Sequence, residues 1–235
     1  MIKVELKEIA GFKSAVEAMR NPMNSWWKSD SHMQTVIDDD GQHEEFVLGQ
    51  EDLKLMQNLS SAGVEHRTFA RMIQVWVTID APLYWWKEMD RYTVGKTQCS
   101  CSTMHKIHAK EFTMDDFSVE NLYGVEAIRA MISTIHALNR AREGFIACEQ
   151  KLKRTDLTEA ERKHSERQKK YFFDTMIQLL PSSYNQKRTV NLNYEVCMKI
   201  WKERHNHKLK EWHILCDFIM KLPFLKQIMN LKVGV

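Results

Sequence analysis

The segment that most narrows the possible folds runs from Thr68 to Ile79. Ile73, Val75, Trp76, Val77 and Ile79 are β-branched or large and apolar, Arg71, Gln74 and Thr78 interrupt them, and Pro82 punctuates the run. This predicts a buried strand over 68–79. A buried strand needs a sheet around it, and Ile2, Val4 and Leu6, alternating with Lys3, Glu5 and Lys7, supply a half-buried first strand. After Pro82 the period changes: Leu83, Trp86, Met89 and Tyr92 line one side of a helix, and Lys87, Glu88 and Arg91 share an adjacent side. Cations beside aromatic rings suit a planar anionic ligand. They equally suit the solvated edge of a tryptophan-rich core.

Elsewhere the signals are mainly helical. Phe12–Met19 reads as a short helix closed by Asn21-Pro22, and Leu53–Leu59 as another with Gly63 as its stop. Between them Asn24–Gly41 is polar and ends in Asp38-Asp39-Asp40-Gly41, which lacks the alternating ligands of a calcium loop and reads as a solvated turn. His66, at the strand entrance, is either structural or borders a ligand. From Asp115 on the chain reads as helical to its end. Val125–Arg142 carries Ile128, Met131, Ile132, Ile135 and Leu138 at core spacing, and the Thr158–Glu161 capping box starts a helix over 159–180 that Pro181 ends. A turn over 181–186 precedes a helix displaying Asn191, Glu195, Met198 and Lys202, and a last helix covers 208–221. Asn191 and Asn193 either meet a cofactor's heteroatoms or tie down the preceding turn.

Composition removes several function classes. In 235 residues, 43% are apolar and 28% charged, with only 8 Gly and 4 Pro, so the chain is expected to bury a substantial core. A net charge of +3, from 34 basic and 31 acidic residues, is too balanced to neutralise many phosphates; a small anion, not nucleic acid, is the expected partner. The five cysteines are an odd number, and residues 1–20 carry charges throughout with no apolar signal core; a reducing cytoplasm is the expected location. No apolar run approaches the ~18 residues that a membrane span requires, so no membrane partner is expected. Cys99, Cys101, His105 and His108 crowd four metal-capable groups into one segment, whereas zinc sites spread two ligand pairs across a loop or helix. No metal is expected there, and Thr97–Thr103 reads better as a hydroxyl-rich loop for phosphate. There is no glycine-rich phosphate loop, G-x-S-x-G or H-E-x-x-H.

One ordered set of residues carries a resemblance. Glu65-His66 ahead of a strand, Ala81-Pro82, Lys87-Glu88 and Arg91, then Leu180-Pro181, Tyr184, Thr189-Val190-Asn191 and a later Arg204 together resemble the flavin-dependent thymidylate synthases, over about residues 51–221. The resemblance implies an α+β fold in a single domain over 1–235, with an antiparallel or mixed sheet flanked by helices and a largely helical C-terminal half. It implies FAD as cofactor, held between subunits of a homotetramer, and methylation of dUMP or a related pyrimidine deoxynucleotide, with methylenetetrahydrofolate as carbon donor and NADPH as reductant. Arg91 matches the first arginine of the family's R-H-R-x-x-S-x-N-x-x-S-x-R signature, and Arg204 the arginine that polarises the pyrimidine. Lys87, Glu88, Cys99, Ser100, Cys101, Ser102, Thr103, Gln178 and Arg188 are implied around the nucleotide. His66, Thr68, Arg91, Tyr92, Thr93, Gln98, Asn191, Asn193 and His207 are implied around the flavin. The chain departs from the signature after Arg91: Tyr92, Thr93, Lys96, Gln98, Cys101 and Thr103 stand where the family has His, Arg, Ser, Asn, Ser and Arg. An altered pyrimidine, or a nucleotide-binding homologue without the family's catalysis, is the alternative expectation.

Overall fold

The computed structural model describes residues 2–38 and 41–231. Strand β1 (Lys3–Ala10) leads into helix α1 (Phe12–Arg20), and strands β2 (His32–Asp38) and β3 (Gly41–Val47) form a separate antiparallel hairpin. Helices α2 (Gln50–Ala62) and α3 (Thr68–Met72) precede β4 (Gln74–Pro82), α4 (Leu83–Met89), β5 (Lys96–Ser100) and α5 (Thr103–Lys106). The long helices α6 (Val125–Leu152) and α7 (Glu159–Leu179) follow, then β6 (Asn185–Asn193), α8 (Tyr194–Arg204), α9 (Lys210–Ile219) and α10 (Leu225–Ile228). The four-stranded sheet has the order β1-β4-β6-β5. The class is α+β, with antiparallel sheets flanked by helices.

The chain forms two compact units, each gathered from segments distant in sequence. The first consists mainly of Asp80–Met89 and Ser100–Arg188. Its core packs Ile107, Phe112 and Phe117 with Met131, Ile135, Leu138, Ala141 and Phe145 of α6 and Met176 of α7. The 3.6-residue period of α6 produces that stripe, while its N-terminal turns leave Val125, Ile128 and Ile132 exposed. The Thr158 side chain caps α7 as the sequence predicts, in a reciprocal box with Glu161.

The second unit holds Val4–Ile79, Asp90–Cys99 and the chain from Thr189 onward. Here β4 alternates: Val75, Val77 and Ile79 are fully buried and Gln74, Trp76 and Thr78 are not. Burying each such side chain contributes about 1.5–3 kcal/mol. Helix α1 starts after Gly11 (φ 100°), where any Cβ would run into the Met72 carbonyl; a side chain there would push α1 off α3. Phe12 stacks on Phe46 of the hairpin at 5.5 Å and meets Tyr194 and Phe224 edge-on at 5.5 and 5.4 Å.

Four expectations are corrected. The strand starts at Gln74, not Thr68, because Thr68–Met72 coils into α3, and Glu65-His66 lies in a turn ahead of that helix. The polar stretch 24–41 contains β2, whose ladder to β3 comes from a partner that local polarity does not reveal; Asp39 and Asp40 of the expected turn lie outside the described residues. The expected loop over 97–103 is strand β5 through Ser100, followed by the first residue of α5 at Thr103. The expectation of helix from Asp115 to the end fails at β6: Asn191 and Asn193 lie on a strand, because residues 185–193 find sheet partners on both sides.

Candidate functional site

In the second unit the end of β6 and the start of α8 border a cleft of about 670 Å³, within the range that small-molecule sites occupy. Arg71 reaches it from α3 and Arg67 from the N-cap of that helix, Lys199 and Lys202 from α8, and Val94 and Gly95 from the segment before β5. Four cations face two carboxylates, Glu195 and Glu203, so the lining carries a net positive charge. Arg71 pairs with Glu195 and donates to the Val64 carbonyl at 3.0 Å; Arg67 donates to the Ser60 carbonyl at 2.9 Å. Burial and the neighbouring Arg67 hold the Lys202 ammonium below its ordinary pKa. An anion entering the cleft therefore relieves repulsion between cations already in place.

Asn193 organises the cleft's floor. Its side-chain carbonyl accepts the Val196 amide at 2.9 Å, the N-cap bond that starts α8 and so aims Lys199 and Lys202. Gly95 (φ 73°) crosses directly above it: a Cβ would stand 2.5 Å from Asn193 Nδ2 and 2.9 Å from Val196 Cγ2. Only glycine lets the backbone pass so close to the Asn193 and Val196 side chains. Of the two readings left open for the asparagines, Asn193 ties down local structure. Asn191 differs, because its Nδ2 is buried with no hydrogen-bond partner among the described residues. An orphaned buried donor is costly, and a ligand acceptor would satisfy it.

A second cluster joins Tyr92, Glu203, Arg204, His207 and Trp212. Arg204 donates through Nε to the Tyr92 hydroxyl at 3.1 Å, and that hydroxyl donates to Glu203 at 2.7 Å. The guanidinium lies 4.7 Å from the centre of the Trp212 ring and 5.8 Å from that of Tyr92. Burial is the main reason the Tyr92 phenol is pushed up to about 12, so it stays a neutral donor. His207 accepts the Leu209 amide at 3.1 Å and sits edge-on to Trp212.

The first unit assembles a different set. Gln186 donates to the Cys101 carbonyl at 2.8 Å, its own carbonyl accepts Trp86 Nε1 at 2.8 Å, and Arg188 donates to its side chain at 3.0 Å while stacking 4.3 Å over Trp86. The Ser102 hydroxyl is spent on capping α5 through the His105 amide at 3.1 Å. Lys87 is exposed and Glu88 half-buried on α4 beside Trp86, Ser100 and Cys101 are exposed, and Thr103 is half-buried. Gln178 is exposed on α7.

The residues named from sequence thus fall into separate groups. Lys87, Glu88, Ser100, Cys101, Ser102, Thr103, Gln178 and Arg188 belong to the first unit; His66, Thr68, Arg91, Tyr92, Thr93, Gln98, Cys99, Asn191, Asn193, Arg204 and His207 belong to the second. Within the second unit His66, Thr68, Arg91, Thr93 and Cys99 are exposed, and Gln98 and Lys96 both bond to Asp90, at 2.8 and 3.2 Å. Sequence reasoning missed Arg67, Gly95 and Lys199 and gave Arg71 and Lys202 no site role. The signal was present in the four-residue spacing of Arg67 and Arg71, which shares a face only once 68–72 is helical. Among the described residues no three metal-capable side chains gather, and no helix is long and apolar enough to cross a membrane.

This architecture is the fold of the flavin-dependent thymidylate synthases. Two solved structures of thymidylate synthase X (ThyX) from Helicobacter pylori, both with FAD and dUMP, match with TM-scores of 0.63 and 0.60. Each covers 97% of this chain and 97% of its own, at 15% and 16% sequence identity. No protein-family model and no curated protein matches the sequence.

Proposed function

We propose that this chain binds FAD and a pyrimidine deoxynucleotide and methylates dUMP or a close relative, with methylenetetrahydrofolate and NADPH as co-substrates, as a homo-oligomer. The observation that carries the reading is the cationic cleft lined by Arg67, Arg71, Lys199 and Lys202, in a fold shared end to end with a protein that holds FAD and dUMP. Flat and anionic, FAD fits this cleft: Arg67, Arg71, Lys199 and Lys202 would hold its phosphates. When bound, the flavin supplies the hydride chemistry. The chain's own groups then position and polarise the nucleotide. Arg204, oriented by the Tyr92 hydroxyl and stacked on Trp212, is assigned to the pyrimidine.

One observation favours a second reading, a nucleotide-binding homologue that has lost turnover. At the signature positions Lys96 and Gln98 are occupied with Asp90, and Tyr92 with Glu203 and Arg204. The deciding experiment is the visible spectrum of the purified protein, before and after reconstitution with FAD, followed by conversion of dUMP to dTMP. The proposal expects a yellow protein whose turnover Arg204→Ala abolishes. A yellow or dUMP-stabilised protein without turnover establishes the second reading, and a colourless protein that neither FAD nor dUMP stabilises against heat removes both.

A further inference from the structure

The hairpin β2–β3 is a two-stranded ribbon in which every residue of β2 except Val36 is exposed. The ribbon is anchored through Phe46 on Phe12, and the outward edge of such a ribbon attracts further strands. Natural edges are usually guarded by lysine, proline or a bulge. β2, reading HMQTVID, has no lysine or proline, and its register to β3 runs unbroken from His32↔Val47 to Asp38↔Gly41.

That register fixes which groups of β2 face away from β3. Two residues separate Asp38 from Gly41, so this closing pair is hydrogen-bonded, and alternate residues back from it bond to β3. The amides and carbonyls of Met33, Thr35 and Ile37 therefore face away from β3. An antiparallel copy of the same strand, centred on Thr35, brings outward-facing groups opposite one another: Thr35 to Thr35, Met33 to Ile37 and Ile37 to Met33.

Side chains agree with this register. Met33 and Ile37, 40% and 78% exposed, would cover each other on one face, and His32 would stand opposite Asp38 on the other. The outer edge of β3 behaves differently, because centring it on Glu44 sets that carboxylate against its own copy, with Glu45 beside it. We propose that β2 pairs edge to edge with β2 of a second copy of this chain about a two-fold axis through Thr35, joining two hairpins into one four-stranded sheet. The inference rests on the hairpin alone and is independent of the reading of the cleft.

The test uses the full chain. In a hydrogen-bonded antiparallel pair the Cα atoms lie about 5.5 Å apart, within disulfide reach. Thr35→Cys is therefore expected to give a covalent dimer on a non-reducing gel after mild oxidation. Wild type, which retains exposed Cys99 and Cys101, and Glu44→Cys on β3 set the background. Thr35→Pro removes an outward amide without touching the β2–β3 ladder, and is expected to halve the mass in sedimentation. If Thr35→Cys cross-links no more than the controls, or a folded Thr35→Pro sediments as wild type, the edge is not joined to a second copy and the proposal is overturned. Should Thr35→Pro fail to fold, the cross-link alone decides.

Discussion

Replacing Asp52 by alanine tests how the root of the hairpin is held. Asp52 is fully buried; one carboxylate oxygen accepts Arg20 Nε at 2.6 Å, and the other accepts the Ser29 and Ser31 hydroxyls at 2.7 Å each. The amides of Ser31 and Asp30 add bonds at 3.1 and 3.2 Å, and Asp30 in return accepts the Asp52 amide at 3.1 Å. The network ties residues 29–31, just before β2, to the start of α2. Serine hydroxyls can turn toward other partners, but the Arg20 guanidinium, itself buried, would be left charged and unpaired. Removing one member of a buried pair costs about 3–5 kcal/mol, a large share of the roughly 5–15 kcal/mol that stabilises a domain. With a urea dependence of about 2 kcal/mol per molar, the unfolding midpoint followed by tryptophan fluorescence should fall by roughly 1.5–2.5 M. Arg20→Met/Asp52→Leu removes both charges and should cost less than Asp52→Ala alone. A loss under about 1 kcal/mol for Asp52→Ala, or a double variant worse than the single, would refute this account of the pair. Acid gives an independent check. Burial pushes the Asp52 carboxyl up, but hydrogen bonds from Ser31, Ser29 and Arg20 outweigh it and the net shift is down. Its stabilisation is then complete above the unfolded value of about 3.9 and drains as pH falls through the lower folded value, so wild type should lose stability below pH ~4 more steeply than Asp52→Asn.

Two further outcomes follow from the cleft. Asn193→Ala removes the α8 cap and should lower stability by about 1 kcal/mol in thermal melts, with Asn193→Asp largely restoring it. Because Lys202 titrates below the usual lysine value, FAD affinity followed by flavin fluorescence should weaken as pH rises through that lowered value, and Lys202→Ala should flatten the dependence; a wild-type profile identical to that of the variant would separate Lys202 from the site.

The helices whose ends carry their own chemistry were legible in the chain. Thr158 and Glu161 satisfy each other's neighbours within one turn, so the start of α7 is a local event, and Gly63 stops α2 for a reason confined to its own backbone. Asn21-Pro22 likewise closes α1, and the last helix expected over 208–221 is α9.

Strand β6 was missed although Val190 and Leu192 alternate with Thr189, Asn191 and Asn193: the alternation covers only five residues, and the ladders to β4 and β5 that decide it come from partners about a hundred positions earlier. The site shares that dependence. The Arg204–Tyr92 bond spans 112 positions, and Gly95 meets Asn193 only after β6 and α8 have formed. Sequence determined the capped helices, the apolar period of the core and a surplus of cations near aromatics, because each arises within a few residues. Tertiary structure decided which cations share a cleft, which asparagine caps and which is orphaned, and which strand edge stays open, because each depends on neighbours that chain order keeps apart.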